Sequence, residues 1–307
     1  MKTFKVSIAL AVLCASAVSL ANAQDMPAEY QDVLKALGKQ GDFKDKVLKI
    51  NIPRSDLKVV VDGVATPTPF GFGGWLAMSK GDGGHDVMMG DLVLLEEEVN
   101  PVMSALLDNG LEVTALHNHF FFEDPRVFYM HVMGHGTAAE LARKAKPAVD
   151  LIGHVQRKNP TSTATAKATI EPGKIDTARI ASIVGKQGEQ NGPVYKITVG
   201  RDDLQMKEMG AVINARMGLN TWAAFVGSDQ SAAIAGDVAM LESEVTPVLK
   251  ALRSHGLEVV AIHHHMIDSR PVVIFLHYWG KGPVDKLTEG FKAALDQLGK
   301  GHAGAGH

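Results

Sequence analysis

The feature that most constrains this chain is that much of it is written twice. Gly38-Lys39-Gln40-Gly41 recurs as Gly185-Lys186-Gln187-Gly188, Val47 to Leu57 recurs as Val194 to Leu204, and Trp75 recurs as Trp222, at an offset of 147. One extra residue in the glycine loop Gly81 to Gly84 changes the offset to 146, and from Gly90 to Gly136, 22 of 47 positions match their partners. Two copies of this length are too few and too long for a solenoid. The expected architecture is a duplicated domain whose halves pair as an intramolecular pseudo-dimer.

The duplication divides the chain into a first repeat domain at 24–153 and a second at 176–299. Between them, 154–175 reads as a linker, Thr/Ala/Ser-rich from Asn159 to Pro172 and without apolar periodicity. The Gly-rich end, 300–307, reads as a disordered tail whose His302 and His307 have no assigned role. Residues 1–23 read as a secretory signal peptide. Lys2 and Lys5 form a basic start, Val6 to Leu20 is almost wholly apolar, and Ala21-Asn22-Ala23 offers small residues at the cleavage positions. That apolar run is shorter than the ~20 residues a bilayer-spanning helix needs. A periplasmic or secreted protein is expected, cleaved near Ala23.

The sole cysteine, Cys14, lies within this signal and follows Leu13, where a lipoprotein site wants a small residue. The mature chain therefore has no disulfide and no thiolate chemistry. Removing Lys2 and Lys5 takes the formal charge from −3 to −5. That balance, with no polybasic patch, argues against nucleic acid and against a membrane surface, and no later apolar stretch suggests insertion of the mature form.

Each half reads as helix, strands, helix, hairpin, helix. The pattern predicts helices at Ala28–Leu37 and Thr177–Val184, the second capped by Asp176. Strands are expected at Val47–Ile52, Lys58–Val61, Gly74–Met78 and Asp86–Leu95, with a weaker match at Gln205–Met209. A helix is expected at Pro101–Leu107, capped by Asn100 or, in the second half, by Thr246, and ended by Gly110 or Gly256. Leu111–Phe122 and Val127–Met133 then form a hairpin, and a last helix runs from Thr137 to Ile152, repeated at Val284–Leu298. The fold class is α+β, two homologous halves each with a mainly antiparallel sheet, flanking helices and a partly ferredoxin-like order.

The hairpin carries the chemistry. His117, His119 and His131 recur as His263, His265 and His277, each set at i, i+2 and i+14. Alternation along a strand puts i and i+2 on one face, where two imidazoles converge on an ion and a third arrives from the paired strand. That requires an odd loop between the strands, so that His131 and His277 share the face of the histidines before them. Three histidines with an open position are the pattern of a catalytic metal site, and imidazole suits zinc or copper. Glu98 and Glu244 are the candidate bases, with Glu96, Glu242 and Glu123 as further acids. The helix dipole offers the repeated acids a purely structural role. Trp75, Trp222 and Trp279 read as packing or as walls of a ligand pocket. No phosphate loop or Gly-x-Ser-x-Gly elbow is present.

His117-Asn118-His119, Pro125-Arg126, His131 and Gly134, with Glu98 to Val102 and Glu244 to Val248, resemble the LppY/LpqO family over nearly the whole mature chain. The resemblance implies cell-envelope export and brings no established reaction. The second half departs in having His264 for Asn118. A smaller likeness, His117-x-His119-x3-Glu123, resembles the first motif of the cupins, although the helix at Pro101–Leu107 interrupts the strands such a barrel requires. The function expected is a metal-dependent hydrolase of unknown substrate, with a non-catalytic metal- or small-ligand-binding protein as the alternative and a bicupin-like enzyme as the lesser one.

Overall fold

The structure, a computed structural model, describes residues 25–155, 170 and 173–300. The segment read as a signal peptide, most of the expected linker and all but the first residue of the expected tail lie outside the described residues.

In the first half, α1 (Ala28–Leu37) leads into β1 (Gln40–Lys44), β2 (Val47–Pro53), β3 (Gly73–Lys80) and β4 (Asp86–Leu95). Then come α2 (Glu96–Asp108), β5 (Glu112–His117), β6 (Val127–Gly136) and α3 (Ala138–Leu151). The second half repeats this with α4 (Thr177–Val184), β7 (Glu189–Asn191), β8 (Val194–Gly200), β9 (Asn220–Gly227), β10 (Ala232–Leu241), α5 (Glu242–Ser254), β11 (Glu258–His263), β12 (Val273–Gly282) and α6 (Val284–Leu295). Both sheets have six strands, ordered β1-β2-β3-β4-β6-β5 and β7-β8-β9-β10-β12-β11, with every neighbouring pair antiparallel. Because β6 inserts between β4 and β5, the segment β4-α2-β5 is a split crossover, the part of the fold that is ferredoxin-like. The sheets are open and covered by helices, so neither half is a cupin barrel.

Strand β4 explains the layering. Its residues are buried on both faces, which an antiparallel strand needs only when both faces are covered. Met88, Leu92 and Leu94 meet Val102 and Leu106 of α2 and Leu141 and Val149 of α3 in the helix-side core. The second half builds an equivalent core from Ile234, Val238 and Met240 with Leu252 and Phe291. Val87, Met89 and Val93 point the other way, into two clusters that contain residues of both halves. One joins Val93, Phe120 and Tyr129 to Ala235 and Trp279; the other joins Met89 and Met133 to Met217, Val273 and Phe275. The order of layers is therefore helices, sheet, sheet, helices, with the two sheets face to face. Rim contacts across the junction include Arg216 to Asp42 at 2.6 Å and Lys281 to Asp62 at 2.5 Å.

Two expectations need correction. The helix expected at Pro101 starts at Glu96, and its twin at Glu242, so Asn100 and Thr246 are helix residues rather than caps. The Glu98 carboxylate supplies the cap by accepting from Leu95 N–H at 2.7 Å, while Pro101 sits early enough in the helix to be tolerated. The hairpin β1–β2 was not expected at all. Asp45 and Lys46 turn it with φ of 52° and 61°, a conformation usually advertised by Asn-Gly. The expected hairpin is present as β5–β6, although β5 ends at His117. Pro125 and Pro271 occupy equivalent places in its loops, each after a cis peptide bond.

Candidate metal centre

Register places the functional side chains. Across the first sheet Asn51, Trp75, Asp91, His131 and Ala115 are successive direct partners. Across the second, Thr198, Trp222, Asp237, His277 and Ala261 are the equivalent row. These rows lie on the face turned toward the other half, opposite the helix-facing Leu76 and Met130. His117 pairs with Tyr129, two residues before His131, so an odd number of residues separates them and His117 and His131 share that face. His263 pairs with Phe275 and stands in the same relation to His277.

Because the sheets meet face to face, the two sets interleave. His117 stacks on His263 at 3.7 Å between ring centres, His119 on His277 at 3.5 Å, and His131 on His265 at 3.9 Å. Within a half the rings are farther apart, 5.3 Å for His117–His119 and 4.9 Å for His263–His277. Two groups of three bring one ring nitrogen each to within 4.8 Å of one another: His117, His263 and His277, and His131, His263 and His265. Five of the six expected histidines thus fall in converging groups, each of which draws on both halves, while His119 joins neither group and stacks on His277. A duplication in sequence gave no sign of that mixing, which follows from the way the sheets pack.

The protonation pattern suits metal ligands. His131 Nδ1 faces the Gly90 carbonyl and His277 Nδ1 the Gly236 carbonyl, each at 3.3 Å, and His117 Nδ1 faces the Asn118 carbonyl at 3.2 Å. A carbonyl can only accept, so the proton sits on Nδ1 and Nε2 keeps its lone pair. The Nε2 atoms of all six histidines are buried with no hydrogen-bond partner. Burial pushes the His117 pKa down to about 4, and burial together with neighbouring imidazoles holds the other five well below the ordinary imidazole value. Buried donors and acceptors are nearly always satisfied, so six unpartnered Nε2 atoms, five of them on histidines of the two converging groups, call for an electrophile.

The acids fall differently from expectation. Glu98 accepts from Arg54, Leu95 N–H and Gly153 N–H, and Glu244 accepts from Arg201, Leu241 N–H and Gly299 N–H. Both are buried on the helix side of their sheets, where they pin a helix start to the end of the half, and the structure does not bring them to the histidines. Glu96 and Glu242 are exposed in the first helical turn. Glu123 pairs through its backbone with Val61 and has its side chain buried, 3.9 Å from Arg126, outside both histidine groups.

The carboxylates that do reach the site are Asp91 and Asp237. Each stands directly opposite a site histidine and keeps Oδ1 buried without a partner, and Asp237 Oδ2 lies 3.9 Å from His265 Nε2. Burial raises Asp91 to about 7 and Asp237 well above the usual carboxylate range. A sequence signal was available. Gly90-Asp91 and Gly236-Asp237 are repeated, and each aspartate sits in the middle of a strand whose neighbouring positions are apolar.

Asp91, Asp237, His119 and His265 border a cleft of about 800 Å³ between the halves. Trp75 and Trp222 wall it, as one expectation for them held, whereas Trp279 packs against Phe70 and Phe120. The histidine centre therefore opens onto a space large enough for a small molecule.

A family model described as "Domain of Unknown Function (DUF1259)" matches residues 31–151 and again 178–297. No functionally curated protein matches the chain in sequence. Among solved structures it has weak likeness to the trimeric bacterial microcompartment shell protein PduB, at 9% identity and a TM-score of 0.21, covering 83% of this chain and 88% of that one. EtuB from Clostridium kluyveri gives 7% identity and a TM-score of 0.19, covering 78% of this chain and 91% of that one. A double ringed trimeric shell protein from the RMM microcompartment gives 10% and 0.16, covering 69% and 81%. Likeness at this level carries no argument about fold or function.

Proposed function

The chain belongs to the family described as Domain of Unknown Function (DUF1259), and we propose that its two repeats jointly bind a transition metal at the floor of a ligand cleft. The observation that carries this reading is the set of six buried, unpartnered Nε2 atoms, oriented on one side by Nδ1–H bonds to backbone carbonyls. An imidazole-only donor set favours zinc or copper. The finer likeness to LppY/LpqO, together with the export signal read at residues 1–23, supports a role in the cell envelope. No helix among the described residues is long and apolar enough to cross a membrane.

A second reading, metal-dependent hydrolysis, is favoured by Asp91 and Asp237. A bound metal would supply a water acidified toward neutral pH. Asp91 or Asp237, opposite His131 and His277, would take the proton from that water, the role first expected of Glu98 and Glu244. The cleft admits substrate to the same point. Without turnover, the same geometry serves a binding protein.

Metal analysis of protein made without a His-tag and truncated before His302 tests the primary reading. Bound zinc or copper is expected at stoichiometric level, and it is lost in a His117→Ala/His119→Ala/His263→Ala/His265→Ala variant. Wild-type protein that retains no metal after incubation with either ion and dialysis overturns it. An exchangeable water on the bound metal, read by X-ray absorption or by relaxation of a paramagnetic substitute, separates hydrolysis from binding.

A further inference from the structure

The cleft carries a charge pattern that a metal site does not require. Lys49 on β2 and Lys196 on β8 are equivalent positions of the two repeats, and each ammonium lies over an indole. Lys49 Nζ is 4.3 Å from the Trp75 ring centre and Lys196 Nζ is 3.8 Å from that of Trp222. Among the described residues, Lys49 Nζ donates only a long bond to the Arg216 carbonyl, at 3.4 Å. Among the described residues, Lys196 Nζ makes no hydrogen bond. Arg216 spends Nη2 on Asp42 and leaves Nε buried without a partner.

Asp91 and Asp237 border the same space, yet none of the ion pairs among the described residues joins either of them to a lysine. The arrangement of the sheets explains the gap. Each lysine is held back on a tryptophan face, and Lys49 sits opposite Ala77 rather than in the Trp75–Asp91 row. Three cationic groups therefore line a shared volume, Lys196 Nζ and Arg216 Nε without a hydrogen-bond partner among the described residues, while Asp91 and Asp237 act on the lysines through their field and not as paired acceptors. Like charges brought together in a cleft are relieved by an anion placed between them.

We infer that Lys49, Lys196 and the Nε edge of Arg216 recognise the oxyanion group, carboxylate or phosphate, of a small ligand whose far end meets the histidine floor at His119 and His265. This deepens the proposed function by naming the ligand's chemistry, and it rests on that reading for what the far end meets. The volume of the cleft, about 800 Å³, suits a metabolite-sized ligand and not a polymer.

Calorimetric titration of the full mature chain with inorganic phosphate and with succinate, each with and without bound metal, tests the inference. Saturable binding of at least one anion is expected in both metal states, the stronger anion identifying the group preferred, while neutral succinamide does not bind. Lys49→Met/Lys196→Met should weaken that binding by about tenfold or more, in line with the loss of charge-assisted hydrogen bonds. Metal content measured on the same samples reports separately on the histidine centre. Absence of anion binding in wild type, equal binding of succinamide, or unchanged affinity in a folded double variant overturns the inference. Should the double variant not fold, the comparison of succinate with succinamide on wild type decides alone.

Discussion

His117 of the first repeat stacks on His263 of the second, ring centres 3.7 Å apart, so the two copies of the hairpin form one centre rather than two. His263 belongs to both converging groups, whereas His265 belongs to one. His263→Ala should therefore weaken metal binding by at least about 100-fold, more than the loss of an outer-shell partner costs. His265→Ala leaves His117, His263 and His277 intact and should retain metal through dialysis. Competition with a chromogenic chelator measures both, and equal affinities in the two variants would refute the shared centre.

Glu98 and Arg54 are expected to matter for stability and not for chemistry. Both side chains are almost fully buried, at 1% and 2% exposure, and the carboxylate also holds Leu95 N–H and Gly153 N–H. Removing one partner of a buried pair leaves an uncompensated charge, which costs roughly 3–5 kcal/mol. Arg54→Met should lower the urea unfolding free energy by about that amount while the folded fraction keeps its metal. Loss of metal with unchanged stability would return Glu98 to the list of candidate bases.

Much of this site was legible in the residues. The offset of 146 named all six histidines, and the alternation rule stated the condition on His131 that register satisfies. What periodicity could not supply was the packing of one sheet on the other, and with it the mixing of the triads. The continuous burial of β4 held the clue, since an antiparallel strand apolar on both faces needs a second cover, but a run of apolar residues does not say which element provides it. The same blindness chose Glu98 over Asp91. A charged residue at a helix start is easy to notice, whereas an aspartate within a buried strand acquires its meaning only once its face is known. The caps failed for a smaller reason, because a carboxylate at the third helical position can reach back and replace a capping side chain.

Gly236 ties the backbone to the centre, since its carbonyl accepts from His277 Nδ1. A Cβ there would collide with the Trp222 carbonyl oxygen and the Tyr278 hydroxyl. At Gly90, by contrast, the closest contact is the flexible Leu76 terminus, with Val132 Cγ1 at 2.8 Å and the Trp75 carbonyl at 3.0 Å. Gly236→Ala should cost about 1–3 kcal/mol, typical of overpacking, and more than Gly90→Ala. As the strand shifts, His277 tilts, and metal affinity should fall by about tenfold. Urea denaturation and chelator competition on the two variants give the comparison, and a larger loss from Gly90→Ala would contradict it.

The two cleft lysines set a pH dependence with a definite sign. Burial lowers both to about 8. Lys49 is lowered further by Lys196 and Arg216 and raised in part by Asp91 and Asp42, while Lys196 is raised in part by Asp237 and Asp91. Below about pH 8 both are cations, and an oxyanion has its partners; above it they lose charge, so affinity for phosphate or succinate should drop by about tenfold between pH 7 and pH 9.5. Stability without ligand moves the other way. Between about pH 8 and the ordinary lysine value near 10.5, the unfolded chain holds protons that the folded one has released, so unfolding free energy contributed by these groups rises with pH. Wild type should gain in urea midpoint over that window relative to Lys49→Met/Lys196→Met. Parallel curves for the two proteins would mean that the lysines titrate normally and that the cleft does not hold them as cations under strain.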